Sequence, residues 1–213
     1  MRPLLLTAGA TRNPVDTIRY LSASASGRTA LDLARRLRGH VPIHVLGSTE
    51  ACLRGQLLGV DDGLVLEEYG STRDLMARME RWLNTHPRGM LVHSAAVGDY
   101  EAQAVDTKIP SGQAELVLRL TPTPKIIDRV REWAPDAVVV SFKAGRPGLR
   151  PEALAEIASR QLVRTRSDRV FANVLGALGE SCLWVTHEGY TAFAERSFAL
   201  DALEAYLREM APR

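Results

Sequence analysis

The 213-residue chain contains two cysteines, Cys52 and Cys182, and neither has a second Cys or His at ligand spacing. A disulfide framework and a zinc site therefore find no support, and a reducing compartment fits. Formal net charge is only +2, too little to imply a nucleic-acid binder. No stretch approaches the ~18 apolar residues of a membrane span. The N-terminal run Leu4-Leu5-Leu6 is far too short for the apolar core of a signal peptide. The five histidines, His40, His44, His86, His93 and His187, form no triad and no metal spacing. The expectation is a cytoplasmic protein with no nucleic-acid partner and no membrane partner.

Apolar residues make up 46% and charged residues 24%, which are ordinary globular values. The length suits one large α/β domain spanning 1–213. Strand-like and helix-like segments alternate, the pattern of a mostly parallel, Rossmann-like sheet flanked by helices. Strands are expected at 3–7, 41–46, 64–68, 89–93, 116–120, 137–142 and 169–172. Helices are expected at 27–38, 71–84, 125–133, 151–164 and 197–210. A late β-hairpin is expected around His187-Glu188-Gly189. Thr121-Pro122-Thr123-Pro124 reads as a strand breaker. Gly98 to Gln113 fits no regular element, and long irregular segments of this kind are usually functional or mobile.

In such a sheet, ligands bind beyond the carboxyl ends of the strands. After the first strand come Gly9 and then Ser26-Gly27-Arg28 at the start of a helix. Small residues let backbone approach an anion, and first-turn N–H groups favour phosphate. With neither G-x-G-x-x-G nor a Walker motif present, a small-residue loop with an ordinary cap explains these residues equally well. The fourth expected strand runs into Ala95, Ala96 and Asp99, whose carboxylate could accept hydrogen bonds from a ribose or base, ligate Mg²⁺, or sit as an ordinary turn residue. Lys108 suits a lid that delivers charge to phosphates, or is a solvated surface lysine. Phe142 could stack on a base or belong to the core. Arg160 and Arg164 lie one turn apart on a single helix face. His93 reads best as a structural histidine.

In this order, the segments TAGATRNPVDTIRYLSASASGR (7–28), HSAAVGDY (93–100), KIPS (108–111), LTPTPKIID (120–128), SFKAG (141–145) and SDRVFAN (167–173) resemble the phosphopantothenate–cysteine ligase family. The similarity is greatest to its stand-alone bacterial branch and covers Leu4 to about Asn173. The resemblance implies formation of 4′-phosphopantothenoylcysteine from 4′-phosphopantothenate, L-cysteine and CTP (or ATP) through an acyl-nucleotide, in coenzyme A biosynthesis. It implies Mg²⁺, and a homodimer in which the lid completes the neighbouring site. By the same resemblance, Ala95, Ala96 and Asp99 face the nucleotide, Lys108 neutralises phosphate, Thr121, Pro122, Thr123 and Pro124 hold the base, and Phe142 packs beside it. Arg160 and Arg164 take the place of two family lysines. Ser26, Gly27 and Arg28 match the family S-G-K, and Asn173 matches its closing Asn. Ala23 stands where the family has an Asn that acts on the acyl-nucleotide. A non-catalytic or repurposed nucleotide-binding homologue is the alternative. A short-chain NAD(P) oxidoreductase, suggested by TAGAT, lacks the Tyr-x-x-x-Lys pair.

Overall fold

The computed structural model describes residues 1–60, 63–176 and 182–212. Three apolar runs make the centre of the sheet. β1 (Leu4–Ala8) pairs in parallel with β4 (Ile43–Gly47) on one side and with β6 (Met90–His93) on the other. β1 and β6 are buried at every position, the pattern of strands covered by helices on both faces.

β5 (Val65–Glu68) extends the sheet beyond β4. On the other flank β9 (Val138–Gly145) pairs with β6, and β10 (Arg169–Val174) pairs with β9, both in parallel. The antiparallel hairpin β11 (Cys182–Thr186) and β12 (Gly189–Phe193) closes that edge. The full order is β12-β11-β10-β9-β6-β1-β4-β5. The Rossmann-like class and the late hairpin agree with the sequence reading.

α1 (Arg28–Leu37), α2 (Thr49–Leu57) and α6 (Arg196–Met210) contribute to the apolar layer on one face. α1 buries Ala30, Leu31, Leu33, Ala34 and Leu37, a stripe at helical spacing. α3 (Thr72–Thr85) and α4 (Ile126–Trp133) cover the centre of the other face, and α5 (Pro151–Thr165) covers β10 and β11 beside them. Ser71 caps α3 by accepting from Asp74 N at 3.2 Å. Pro151 occupies the first turn of α5, where its missing N–H costs nothing.

The structure corrects several local expectations. Residues 116–119 form no strand. The strand is instead β8 (Leu120–Pro122), paired with β7 (Tyr100–Ala102), so the threonine–proline run enters the strand rather than breaking it. Proline is tolerated because this ribbon has only two strands and hence two edges. The segment from Gly98 thus begins with a regular element. A second ribbon, β2 (Arg12–Pro14) with β3 (Tyr20–Ser22), lies in the polar stretch after β1. α2 also lay outside the sequence reading.

Candidate functional site

The strand order reverses direction at β1: the chain passes from β1 through α1 to β4 on one side, and later returns to β6 on the other. A crevice opens at such a switch point beyond the carboxyl ends of the strands. A cavity of about 960 Å³ occurs there. Gly9 follows β1, His93 to Val97 end and follows β6, Ser141 to Ala144 belong to β9, and Asn173 to β10; all line the cavity.

The two central loops are latched together. Ala96 N donates to Gly9 O at 2.9 Å, and Thr11 N donates to Ala96 O at 3.1 Å. Thr11 Oγ1 accepts from Gly98 N at 2.9 Å. Asn13 Oδ1 accepts from Thr72 N at 2.9 Å, while its Nδ2 donates to Tyr100 O at 3.2 Å. Ala95 and Ala96 are thereby fixed on the cavity wall by backbone, which requires no particular side chain from them.

Gly9 and Gly27 adopt φ of +85° and +72°. A Cβ at Gly9 would come within 2.1 Å of Ser48 Oγ, and one at Gly27 within 2.7 Å of Ala51 Cβ and 3.1 Å of Gly9 N. Both positions therefore demand glycine for conformation and for space. Gly27 is the N-cap of α1 and provides no side-chain cap. The first-turn N–H groups of α1 have no intrahelical acceptors and face an anion-favouring field.

Cations dominate the lining. Arg28, Lys125, Lys143, Arg164 and Arg196 face a single carboxylate, Asp99. Asp99 pairs with Lys125, and Arg164 with Asp128. Among the described residues Arg28, Lys143 and Arg196 have no acidic partner. Phe142, half-buried, stacks on the fully buried Phe171 with centroids 4.6 Å apart.

His93 lies on the cavity wall, yet its side chain is nearly enclosed. Burial pushes its pKa down to about 4, so the ring is neutral at ordinary pH. Thr7 Oγ1 accepts from Ser94 N at 3.1 Å and from Ala95 N at 3.0 Å. Its hydroxyl proton is then directed to His93 Nδ1, 2.9 Å away, which leaves the ring proton on Nε2.

Of the residues singled out in the sequence, Gly9, Ala23, Ser26, Gly27, Arg28, Ala95, Ala96, Asp99, Phe142, Arg164 and Asn173 share this one cavity. Lys108, Arg160 and Thr121 to Pro124 are not on its wall. Arg160 turns instead to Glu156, 3.5 Å away, with both side chains exposed. Thr121 and Pro122 are exposed in β8, whereas Thr123 is buried and donates to Gly98 O at 2.5 Å. Thr123 therefore braces the Asp99 loop from outside. Lys143, Gln161 and Arg196 line the cavity without having been singled out. Lys143 was within reach, since it follows Phe142 at the end of β9.

The segment carrying Lys108 is tethered at its middle. Ile109 N donates to Asp16 Oδ2 at 3.0 Å, and Ile109 O accepts from Arg19 Nη1 at 3.2 Å. Burial raises the Asp16 pKa, but backbone donors Ile18, Ile109 and Arg19 and the Arg19 guanidinium outweigh it, leaving the carboxyl at about 2. A depressed carboxyl pKa stabilises the tether above the ordinary 3.8, and that contribution disappears as pH falls through about 2. Asp16→Asn should therefore raise proteolytic cleavage within 103–119 several-fold at neutral pH, with the rest of the chain protected. Cleavage that stays at the wild-type rate would show that Asp16 does not hold the segment.

The fold and the cleft together define a doubly wound α/β protein with a cationic pocket at its switch point. The family model described as "DNA/pantothenate metabolism flavoprotein C-terminal domain" matches residues 1–182. The chain belongs to that family, the phosphopantothenate–cysteine ligases. It is 35% identical to the coenzyme A biosynthesis bifunctional protein CoaBC of Thermococcus kodakarensis, over 99% of this chain and 49% of that protein. It is 24% identical to the protein of the same name from Methanocaldococcus jannaschii, over 81% of this chain and 40% of that one. The chain thus spans about half the length of these curated relatives or less. Among solved structures, the DNA/pantothenate metabolism flavoprotein from Streptococcus pneumoniae superposes with a TM-score of 0.84 at 21% identity, covering 98% of this chain and 99% of that one. A Cab2 H337A mutant in complex with phosphopantothenate-cysteine gives 0.80 at 17% identity, covering 98% and 86%. At those identities the superpositions establish the shared fold.

Proposed function

We propose that this protein joins 4′-phosphopantothenate to L-cysteine at the expense of CTP or ATP, in the cytoplasm, as a step of coenzyme A biosynthesis. The observation that carries this reading is the convergence of the Gly27 turn, Asp99 and Phe142 on one cation-lined cavity. The family match and the relatives named for coenzyme A biosynthesis supply the reaction class.

In the first step a carboxylate oxygen of 4′-phosphopantothenate attacks the α-phosphorus, and the bond to the bridging oxygen breaks to release pyrophosphate. In the second, the cysteine amine attacks the acyl carbon, the acyl C–O bond breaks to release the nucleoside monophosphate, and the amine proton passes to solvent. Positioning and charge neutralisation are sufficient for both steps, without a side-chain nucleophile. The first turn of α1 with Ser26, Gly27 and Arg28 seats phosphate. Asp99 takes a ribose hydroxyl, and Phe142 packs against the nucleotide. Arg164 adds charge to the wall, and Asn173 orients the acyl group.

The residues present do not fit a protein-held magnesium ion: Asp99 is the one carboxylate on the wall, and no group of three or more His, Cys, Asp or Glu suited to a metal occurs among the described residues. Magnesium is proposed only as an ion that the triphosphate brings with it.

Lys108 serves a second copy of the chain in this reading. It sits off its own cavity, on an exposed segment that also displays Val117, 77% accessible. Apolar side chains so displayed suit burial between protomers.

The test combines purified protein, CTP or ATP, magnesium, 4′-phosphopantothenate and cysteine. A cysteine-containing product is expected. Nucleotide binding with neither product nor pyrophosphate would favour the repurposed homologue, a reading that Ala23 on the cavity wall supports. Lys108→Ala should lower turnover roughly tenfold to a hundredfold, the worth of a hydrogen bond to a charged group. Its stability should stay within about 0.5 kcal/mol of wild type. A large drop in melting temperature with turnover intact would contradict the assigned role.

A further inference from the structure

Arg196 opens α6, fourteen residues beyond the segment matched by the family model, yet its side chain reaches the cavity wall. Three contacts hold the guanidinium. Nη2 donates to Thr29 Oγ1 at 2.7 Å, Nη1 lies 3.9 Å from Cys182 Sγ, and the group sits over the Phe171 ring at 5.1 Å from its centroid. None of these neutralises its charge, and no carboxylate pairs with it among the described residues. A half-buried guanidinium without a counter-ion is costly unless an anion arrives to meet it.

Thr29 places that anion. It is the second residue of α1, directly after Arg28. Its hydroxyl ties Arg196 to the same helical turn whose N–H groups lack acceptors. Below, Phe171 stacks on Phe142, so the guanidinium and the aromatic face that meets the nucleotide share one rigid support. Arg35, Arg36 and Arg208 behave differently: each is paired with an acidic neighbour.

We propose that Arg196 is a catalytic residue that binds the β- and γ-phosphates of the bound nucleoside triphosphate and neutralises the pyrophosphate as it leaves. This rests on the nucleotide-binding reading above. When the substrate carboxylate forms its bond to the α-phosphorus, the electron pair of the breaking bond stays on the bridging oxygen of pyrophosphate. Charge grows at that end, where Arg28, Arg196 and the α1 amides converge. A preoriented cation stabilises such charge more than a mobile one. The rings and Thr29 fix Arg196 before any ligand arrives.

The experiment measures binding of nucleoside triphosphate, the matching monophosphate and inorganic pyrophosphate to wild type, Arg196→Met, Arg196→Lys and Thr29→Ala by calorimetry. It also measures pyrophosphate release. Arg196→Met should weaken triphosphate and pyrophosphate roughly tenfold to a hundredfold, slow pyrophosphate release, and leave the monophosphate unchanged. Arg196→Lys should recover part of the loss, and Thr29→Ala should fall between. Equal losses for monophosphate and triphosphate would assign Arg196 a structural role and overturn the proposal, as would unchanged triphosphate binding in Arg196→Met. If Arg196→Met does not fold, the same contrast in Arg196→Lys and Thr29→Ala decides. Failure of wild type to bind any triphosphate would remove the underlying reading, an outcome distinct from a wild type that binds and a variant that binds equally well.

Discussion

Gly27→Ala should cost about 1–3 kcal/mol of stability and weaken triphosphate binding at least tenfold, whereas Gly39→Ala should cost about 1–2 kcal/mol and leave binding untouched. The two glycines have nearly the same positive φ, +72° and +79°. They differ in surroundings. A methyl at Gly39 meets nothing within 4 Å, while one at Gly27 meets Ala51 Cβ at 2.7 Å and Gly9 N at 3.1 Å. Neither neighbour is the flexible end of a long side chain, so relief requires the start of α1 to move. That start is where the proposed phosphate seat lies. Thermal melts and calorimetry on the two variants separate conformational strain, which they share, from displacement of the seat, which only Gly27→Ala suffers. Equal binding losses in both would refute the seat.

The fold was legible wherever burial imposed a period. β1, β6 and β9 each open on an apolar run (Leu4 to Leu6, Met90 to Val92, Val138 to Val140) because both sheet faces are covered there, and α1 and α3 repeat their apolar residues on one side. α2 was not legible because its pattern is inverted. Its buried residues are Ala51, Cys52 and Gly55, while Leu53 and Leu57 are exposed. Small residues are needed there because a larger group would meet Gly9, Gly27 or Leu66 at close range. The alternation at 116–120 misled for the opposite reason: Leu116, Val117 and Leu118 are exposed, so their apolarity does not report a core.

The candidate site divides in the same way. The residues read from the ends of β1, β6, β9 and β10 line one cavity, since in this architecture position after a central strand is position at the rim. Sequence proximity failed for Arg160, which shares a helix with Arg164 but turns toward Glu156. It failed in the other direction for Arg196, separated from Thr29 by 167 positions and joined to it only when α6 packs beside α1. No local pattern marks such a residue. Its signal is an unneutralised charge, visible only in three dimensions.

Ala23→Asn should raise ligase turnover by roughly 100-fold, with thermal stability within about 0.5 kcal/mol of the parent. Ala23 is exposed, follows β3 directly and lines the cavity, so a larger side chain has open space to enter. Its carbonyl already accepts from Ser22 Oγ at 3.0 Å, which steadies the backbone from which the new amide projects. A methyl group neither donates nor accepts. In the proposed reaction the amide adds a donor where charge develops as the acyl-nucleotide forms and breaks down, and such donors act on turnover rather than on ground-state binding. Steady-state ligation should therefore show a higher kcat with little change in KM for the nucleotide. An unchanged or lower kcat would mean that another group fills the role. His93 is then the residue to replace, because its Nδ1 is occupied by Thr7, its Nε2 carries the proton, and its ring stays neutral beside the same cavity.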